Sequence, residues 1–100
     1  DVAWHGETLD DPPWDDPLAQ WLALTLAPAC PGEDILHILI NMSEQGRRFQ
    51  LPSFAPLRWH LALDTACLSP ANMVAPADQS ALDATSLWVQ ERSIVVLEGR

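Results

Sequence analysis

The sequence of 100 residues contains no lysine and no tyrosine, and it has only two cysteines and four glycines. Five arginines stand against 14 acidic residues, so the formal net charge is −9. This charge repels the phosphates of nucleic acids and of anionic lipids. We therefore expect neither nucleic acid nor a membrane as a partner. No uninterrupted apolar run approaches the roughly 18 residues that a membrane-spanning segment needs.

The two cysteines, Cys30 and Cys67, lie far apart in the sequence and do not form a C-x-x-C pair. This spacing excludes the usual zinc and redox motifs. A single disulfide is one alternative, and two free thiols in a reducing compartment are favoured over it.

Residues with catalytic chemistry are present, but not in catalytic patterns. The acidic residues include adjacent pairs, at Asp10/Asp11, Asp15/Asp16 and Glu33/Asp34. Neighbouring side chains point apart, whereas glycosidase carboxylates converge and calcium loops alternate their ligands. The three histidines lack the H-x-x-x-H spacing of zinc ligands, and no G-x-S-x-G motif surrounds a serine. We predict no catalytic residue, no metal site and no cofactor.

The first half of the chain contains three predicted strands. Trp21–Leu26 is an apolar run that ends at Pro28, and Ile35–Met42 is rich in branched apolar residues on both faces. The second run is therefore predicted to be a central strand. The loop Ser43–Gly46 predicts a hairpin that leads into Arg47–Leu51.

The second half is predicted to contain one alternating strand, a long loop and a closing hairpin. Trp59, Leu61 and Leu63 alternate with smaller or polar residues, which predicts a half-buried strand. Residues 69–86 carry prolines and small polar residues with no helical stripe, and they predict a long loop. A tight break at Glu91-Arg92 separates the apolar runs 87–90 and 93–98, and it predicts that these two runs form a hairpin.

These short strands and regular turns predict an all-β fold, an antiparallel β-sandwich. One domain is expected over residues 1–100, because a chain of this length suits a single core. An acidic, proline-broken loop is expected over residues 1–18, and all strands are expected within residues 20–98. Three arginines are expected to be solvated charges on edge strands: Arg47, Arg48 and Arg58.

Five tryptophans are the unusual feature of the composition. Strand alternation predicts that Trp21, Trp59 and Trp88 pack in the core or against a sheet. Trp4 and Trp14 lie in the proline-rich N-terminal segment, where packing against a neighbouring domain is favoured. The alternative is a carbohydrate-binding role for Trp4 and Trp14, because an exposed indole face can stack on a sugar ring.

An ordered set of motifs covers nearly the whole chain. The first half contains W-H-G at Trp4, W-D-D-P at Trp14 and I-L-I-N-M-S at Ile38. The second half contains R-W-H-L-A-L-D-T-A at Arg58 and E-R-S-I-V-V-L at Glu91. In this order, the motifs resemble the C-terminal all-β domain of bacterial glycogen debranching enzymes and isoamylases, in the α-amylase superfamily.

The resemblance implies a parent enzyme of the bacterial cytoplasm that hydrolyses α-1,6 branch points in glycogen or limit dextrin. Its catalytic carboxylates would lie on a barrel domain outside this chain. This chain would be a noncatalytic accessory domain whose partner is that barrel, and α-glucan is a further candidate partner. The motif residues would then have structural roles in turns and hairpins: Asp15, Asp64, Thr65, Arg92 and Ser93.

Two alternatives to a purely structural accessory domain remain open. The first is an α-glucan-binding module that uses exposed tryptophans. The second is a freestanding interaction sandwich, which accounts for the strands but not for the ordered motifs.

Overall fold

The computed structural model describes residues 2–100 and contains, within that range, eight strands and one turn of 3-10 helix at Pro76–Asp78. The strands are β1 Val2–His5, β2 Trp21–Leu26, β3 Ile35–Asn41, β4 Arg47–Gln50, β5 Trp59–Asp64, β6 Ala81–Leu82, β7 Ser86–Val89 and β8 Ser93–Gly99.

The strands form two antiparallel sheets. The larger sheet has six strands in the order β1-β2-β3-β8-β5-β6, and the smaller sheet pairs β4 with β7. Phe49 of β4 and Val89 of β7 face the buried side chains of the larger sheet, such as Leu39 and Leu97. All four side chains are fully buried. The predicted all-β antiparallel sandwich is confirmed.

The predicted central strand is also confirmed. In β3, buried residues alternate with half-buried ones, and the strand pairs with β2 on one edge and β8 on the other. Branched apolar side chains on both faces suit such a position, because a central strand packs on two sides.

Both predicted hairpins are wrong. β4 does not pair with β3, and β7 does not pair with β8, since β4 and β7 pair with each other. The reason is that β3 and β8 have no free edge: β3 is flanked by β2 and β8, and β8 by β3 and β5. The turns after β3 and before β8 therefore carry the chain from one sheet to the other.

The predicted N-terminal loop over residues 1–18 needs correction. Val2–His5 forms β1, which pairs with β2 in the register Val2↔Leu26 to His5↔Ala23. Residue 1 lies outside the described residues. This strand has only four residues, which is too few for an alternating pattern to be recognised in the sequence. Its pairing with β2 makes it a strand.

The predicted long loop over residues 69–86 holds in outline and contains two short elements, the 3-10 turn and β6. The loop is tied to the sheet by backbone hydrogen bonds, including one from Val74 N to Ala62 O at 2.9 Å. β6 adds two residues to the edge of β5.

Arg47 is not the solvated edge charge that the sequence suggested. It shares the inward parity of Phe49 in β4, and its guanidinium carbon lies 3.7 Å from the centroid of the Trp21 ring. Its Nη1 donates to Glu7 Oε1 at 3.2 Å, and its Nε donates to Ser43 Oγ at 3.1 Å. Arg47 therefore bridges the two sheets at one end of the core.

This geometry predicts unequal costs for the two adjacent arginines. We expect Arg47→Met to lower the free energy of unfolding by about 1–2 kcal/mol, because it removes a stacked, partly desolvated cation. Arg48→Met should change it by less than about 0.5 kcal/mol, since Arg48 is exposed. Urea denaturation of both variants measures the difference. Equal losses would contradict the assignment.

Candidate functional site

The outward side of the six-stranded sheet is apolar. Leu24 of β2, Ile38 of β3 and Val96 of β8 lie in one cross-strand row, and Trp4 of β1 extends it. Five further half-buried apolar side chains flank this row: Leu22, Leu26, Leu36, Ile40 and Ile94. We call these nine side chains the outer apolar face. The opposite side of the same sheet packs on β4 and β7 and forms the core.

Trp4 and Trp14 meet at the margin of this face. Their ring centroids are 5.6 Å apart in an edge-to-face arrangement, and 42% and 63% of the two residues is exposed. Trp14 also lines a shallow apolar depression with Leu22, Ile40 and Met42. The two tryptophans suggested by the sequence therefore come together, and they extend the outer apolar face.

Trp88 does not lie in the core and packs instead on the outward side of the smaller sheet, which is the second of the two positions that the sequence predicted. Its neighbour Val89 is fully buried, so alternation along β7 directs Trp88 to the opposite, outward side, where 51% of it is exposed. The core positions of Trp21 and Trp59 agree with the prediction: Trp59 is buried, and Trp21 packs against the core. The burial of Val89 determines which side of β7 Trp88 faces, and the composition of the strand does not reveal which of the two residues is buried.

An open groove of about 600 Å³ lies on the same outward side of the smaller sheet. Its lining is mainly polar and includes Glu7, Arg48, Gln50 and Ser86. Arg48 is the cross-strand partner of Trp88, and Gln50 is the partner of Ser86. The outward side of β4 and β7 thus combines one exposed indole with donors and acceptors.

A buried chain of hydrogen bonds joins two histidines across β1, β2 and β3. Asp10 N donates to His5 Nδ1 at 2.9 Å, so His5 carries its proton on Nε2. His5 Nε2 then donates to Thr25 Oγ1, and Thr25 Oγ1 donates to His37 Nδ1, each at 2.9 Å. The backbone N–H of Asp10 therefore fixes the direction of the whole chain.

His37 ends this chain inside the core. Its Nε2 has no hydrogen-bond partner among residues 2–100, and its ring centroid lies 5.4 Å from that of Trp59. Burial, with a smaller contribution from His5, lowers the pKa of His37 from 6.5 to about 4. The histidine is therefore neutral at physiological pH and has a packing role.

The motif residues lie in turns and at strand ends. Asp64 Oδ1 accepts a hydrogen bond from Ala66 N at 3.0 Å, and Thr65 Oγ1 accepts one from Ile94 N at 2.8 Å. Ser93 is buried, and its Oγ donates to Glu91 O at 3.0 Å. These contacts tie the end of β5 to the start of β8.

Two motif residues lie at the surface. Arg92 adopts a left-handed conformation (φ 52°) in the turn before β8, and its Nη2 lies 3.6 Å from Glu44 Oε1. Asp15 is exposed, and the side-chain cap of its turn comes from Asp16, whose Oδ1 accepts from Leu18 N at 2.9 Å. The turn is thus capped by Asp16, the residue that follows the motif residue Asp15.

No group of three or more His, Cys, Asp or Glu side chains within residues 2–100 is arranged to hold a metal ion. In the same range, no helix has the length and apolar character to cross a membrane. Both cysteines are free and exposed.

Comparison with known families adds to these observations. The family model described as "Isoamylase 1-3, C-terminal" matches residues 3–97, which is nearly the whole chain. No curated protein matches the chain. The match spans β1 to β8 and both sheets. The chain therefore belongs to the isoamylase C-terminal domain family.

Proposed function

We propose that this domain stabilises the catalytic barrel of a glycogen debranching enzyme by packing its outer apolar face against that barrel. The parent enzyme would hydrolyse α-1,6 branch points of glycogen or limit dextrin. The observation that carries the proposal is the outer apolar face, in a chain whose family is the C-terminal domain of isoamylases.

The chemistry of the two sheet faces supports docking. An antiparallel sheet with one face in water usually alternates apolar and polar residues. Here Leu24, Ile38 and Val96 point away from the core and are nonetheless apolar. Such a contiguous patch is typical of a surface that meets another protein domain.

The distribution of charged residues also favours the outer apolar face as the docking surface. Around the central row of the outer apolar face, the outward positions of β2 and β3 are all apolar, although the chain carries a net charge of −9. Glu98 lies on the outward side of β8, and its Oε1 accepts from Gln79 Nε2 at 2.8 Å. The acidic residues therefore leave the centre of the face free for an apolar partner.

The bacterial cytoplasm is the proposed location. Cys30 and Cys67 are both exposed and unpaired with each other, as suits a reducing compartment. The catalytic carboxylates are proposed to lie on the barrel, and this domain contributes stability rather than chemistry.

Fragment complementation tests the proposal. The chain and the barrel region of its parent polypeptide are expressed as separate fragments, and release of linear chains from glycogen is measured. We expect a stable complex with debranching activity. Leu24→Asp should abolish complex formation, because it places a carboxylate in the middle of the outer apolar face.

Leu68→Asp is the matched control, since it makes the same change at a residue that is 87% exposed and lies in a loop. It should form the complex as the unmodified chain does. A milder variant, Ile38→Thr, keeps a β-branched residue in the strand and should weaken the complex without unfolding the domain. A complex that tolerates Leu24→Asp would refute docking through this face.

The alternative function is α-glucan binding through Trp4 and Trp14. Their exposure supports it, because an indole face must be open to stack on a sugar. Their edge-to-face contact and their apolar neighbours support docking more strongly, since each ring is partly covered by the other.

A further inference from the structure

We propose that the outward side of β4 and β7 is an α-glucan-binding surface, with Trp88 as the stacking platform and Arg48, Gln50 and Glu7 as hydrogen-bonding groups. The proposal rests on the proposed function, because it takes the substrate of the parent enzyme as its ligand.

Trp88 is held as a platform rather than left as a loose side chain. Gly46 lies diagonally across from it, and a Cβ at Gly46 would collide with the indole ring. The glycine hydrogen therefore lets the ring lie close against the backbone before β4. Since Gly46 covers only part of the ring and 51% of the residue is exposed, a large part of the indole remains accessible to a ligand.

Donors and acceptors lie on the same outward side of the smaller sheet as this ring, in the groove that Arg48 also lines. The Arg48 guanidinium carbon is 5.9 Å from the Trp88 ring centroid, and Arg48 Nη1 donates to Ser86 Oγ at 3.2 Å. Gln50 Oε1 accepts from Leu9 N at 3.0 Å, and within residues 2–100 its Nε2 makes no hydrogen bond. Glu7 supplies a carboxylate on the lining of the same groove.

The combination matches a neutral sugar. A pyranose ring has an apolar C–H face and a rim of hydroxyls that both donate and accept, so it needs an aromatic surface beside mixed polar groups. Among residues 2–100, the charged side chains that line the groove are Arg48 and Glu7, and the chain carries a net charge of −9. An anionic ligand would therefore be repelled, while a neutral glucan would not.

The position of this surface is compatible with docking on the barrel. The outer apolar face lies on one side of the sandwich, and Trp88 lies on the outward side of the other sheet. A barrel docked on the first surface leaves the second open to solvent and to the outer chains of a branched substrate.

The test is a titration of the chain with maltoheptaose, followed by the indole Nε1–H signals of its five tryptophans. We expect saturable shifts at millimolar sugar, largest at the Trp88 signal. Trp88→Ala should weaken binding about tenfold or more. Arg48→Ala and Gln50→Ala leave the indole in place and should weaken binding by a smaller factor.

Gly46→Ala provides a second variant, because it keeps the indole but displaces it. It should also weaken binding, with the signals of Trp59 unchanged as evidence that the fold is retained. Trp14→Ala is the matched control and should bind as the unmodified chain does. Binding that survives Trp88→Ala, or that is lost in Trp14→Ala, would overturn the assignment of the site.

Three further outcomes separate this inference from the proposed function. If the fragments complement each other but maltoheptaose does not bind, the inference fails and the docking proposal stands. If cellohexaose binds and maltoheptaose does not, both the α-glucan ligand and its derivation from the parent enzyme fail. If Trp88→Ala abolishes the fragment complex, Trp88 contacts protein and the sugar site is wrong.

Discussion

Asn41→Asp should destabilise the fold by about 4 kcal/mol or more, a large share of the stability of a domain of this size. Asn41 is fully buried, and its Nδ2 donates to Gln45 O, Val89 O and Gln90 O at 2.9, 3.1 and 3.2 Å. Its Oδ1 accepts from Ser43 N and Ser43 Oγ. A carboxylate at this position would face three carbonyl oxygens with no proton to donate.

The effect reaches beyond one side chain, because Asn41 lies where the chain leaves the larger sheet, and two of its partners, Val89 and Gln90, lie where the chain leaves β7. The amide therefore fastens two of the crossings between the sheets, from β3 to β4 and from β7 to β8. Urea denaturation at pH 7 measures the loss. Asn72→Asp is the control, since it makes the same change at a half-buried loop residue, and it should cost less than about 1 kcal/mol. A similar stability for both variants would contradict this role of Asn41.

Acidification should destabilise the domain between pH 6.5 and pH 4. The pKa of His37 is lowered by burial from 6.5 to about 4, so the unfolded chain takes up a proton before the folded chain does. The stability is fully present above the unfolded pKa and falls as the pH drops towards the folded pKa. The difference between these pKa values corresponds to a loss of about 3 kcal/mol.

The neighbours of His37 contribute no negative charge that would stabilise its protonated form. Thr25 and Trp59 are uncharged, and the nearest titratable group is His5, whose positive charge would oppose a second one. Asp10 lies 3.7 Å from His5 and is exposed to solvent. Urea midpoints at pH 7, 5.5 and 4.5 measure the slope.

His37→Phe should flatten this pH dependence, because it removes the titrating group and keeps an aromatic ring beside Trp59. His60→Phe is the control, since His60 is half-buried on β5, and it should leave the slope as it is. A steep slope that persists in His37→Phe would show that other groups cause the acid sensitivity.

The strands themselves could be predicted from the sequence, but their partners could not. The run Ile35–Met42 identifies a central strand because its residues are apolar on both faces, and β3 covers all of it except the last residue. Pairing depends on which edges remain free. Since β8 fills the second edge of β3, the strand Arg47–Gln50 had to leave the sheet, and no local pattern records this.

Among the surface residues too, some positions could be predicted from the sequence and others could not. Trp4 and Trp14 could be placed outside the core from their proline-rich surroundings, and the structure adds that they touch. Arg47 and Trp88 could not be placed, because each depends on the parity of a four-residue strand. In so short a strand, the buried positions of Phe49 and Val89 decide which side the neighbours face, and burial is a tertiary property.

The position of β8 has a consequence for synthesis. β8 follows β3 and β5 in the chain but lies between them in the sheet, in continuous register with β3 and with one register shift against β5, between Leu61 and Leu63. Translation proceeds from the N-terminus, so β3 and β5 leave the ribosome with one backbone edge each unpaired. They cannot be joined until residues 93–99 have been made. The nascent domain therefore stays open while most of its strands are already outside the ribosome, and it closes in a late step that requires long-range pairing.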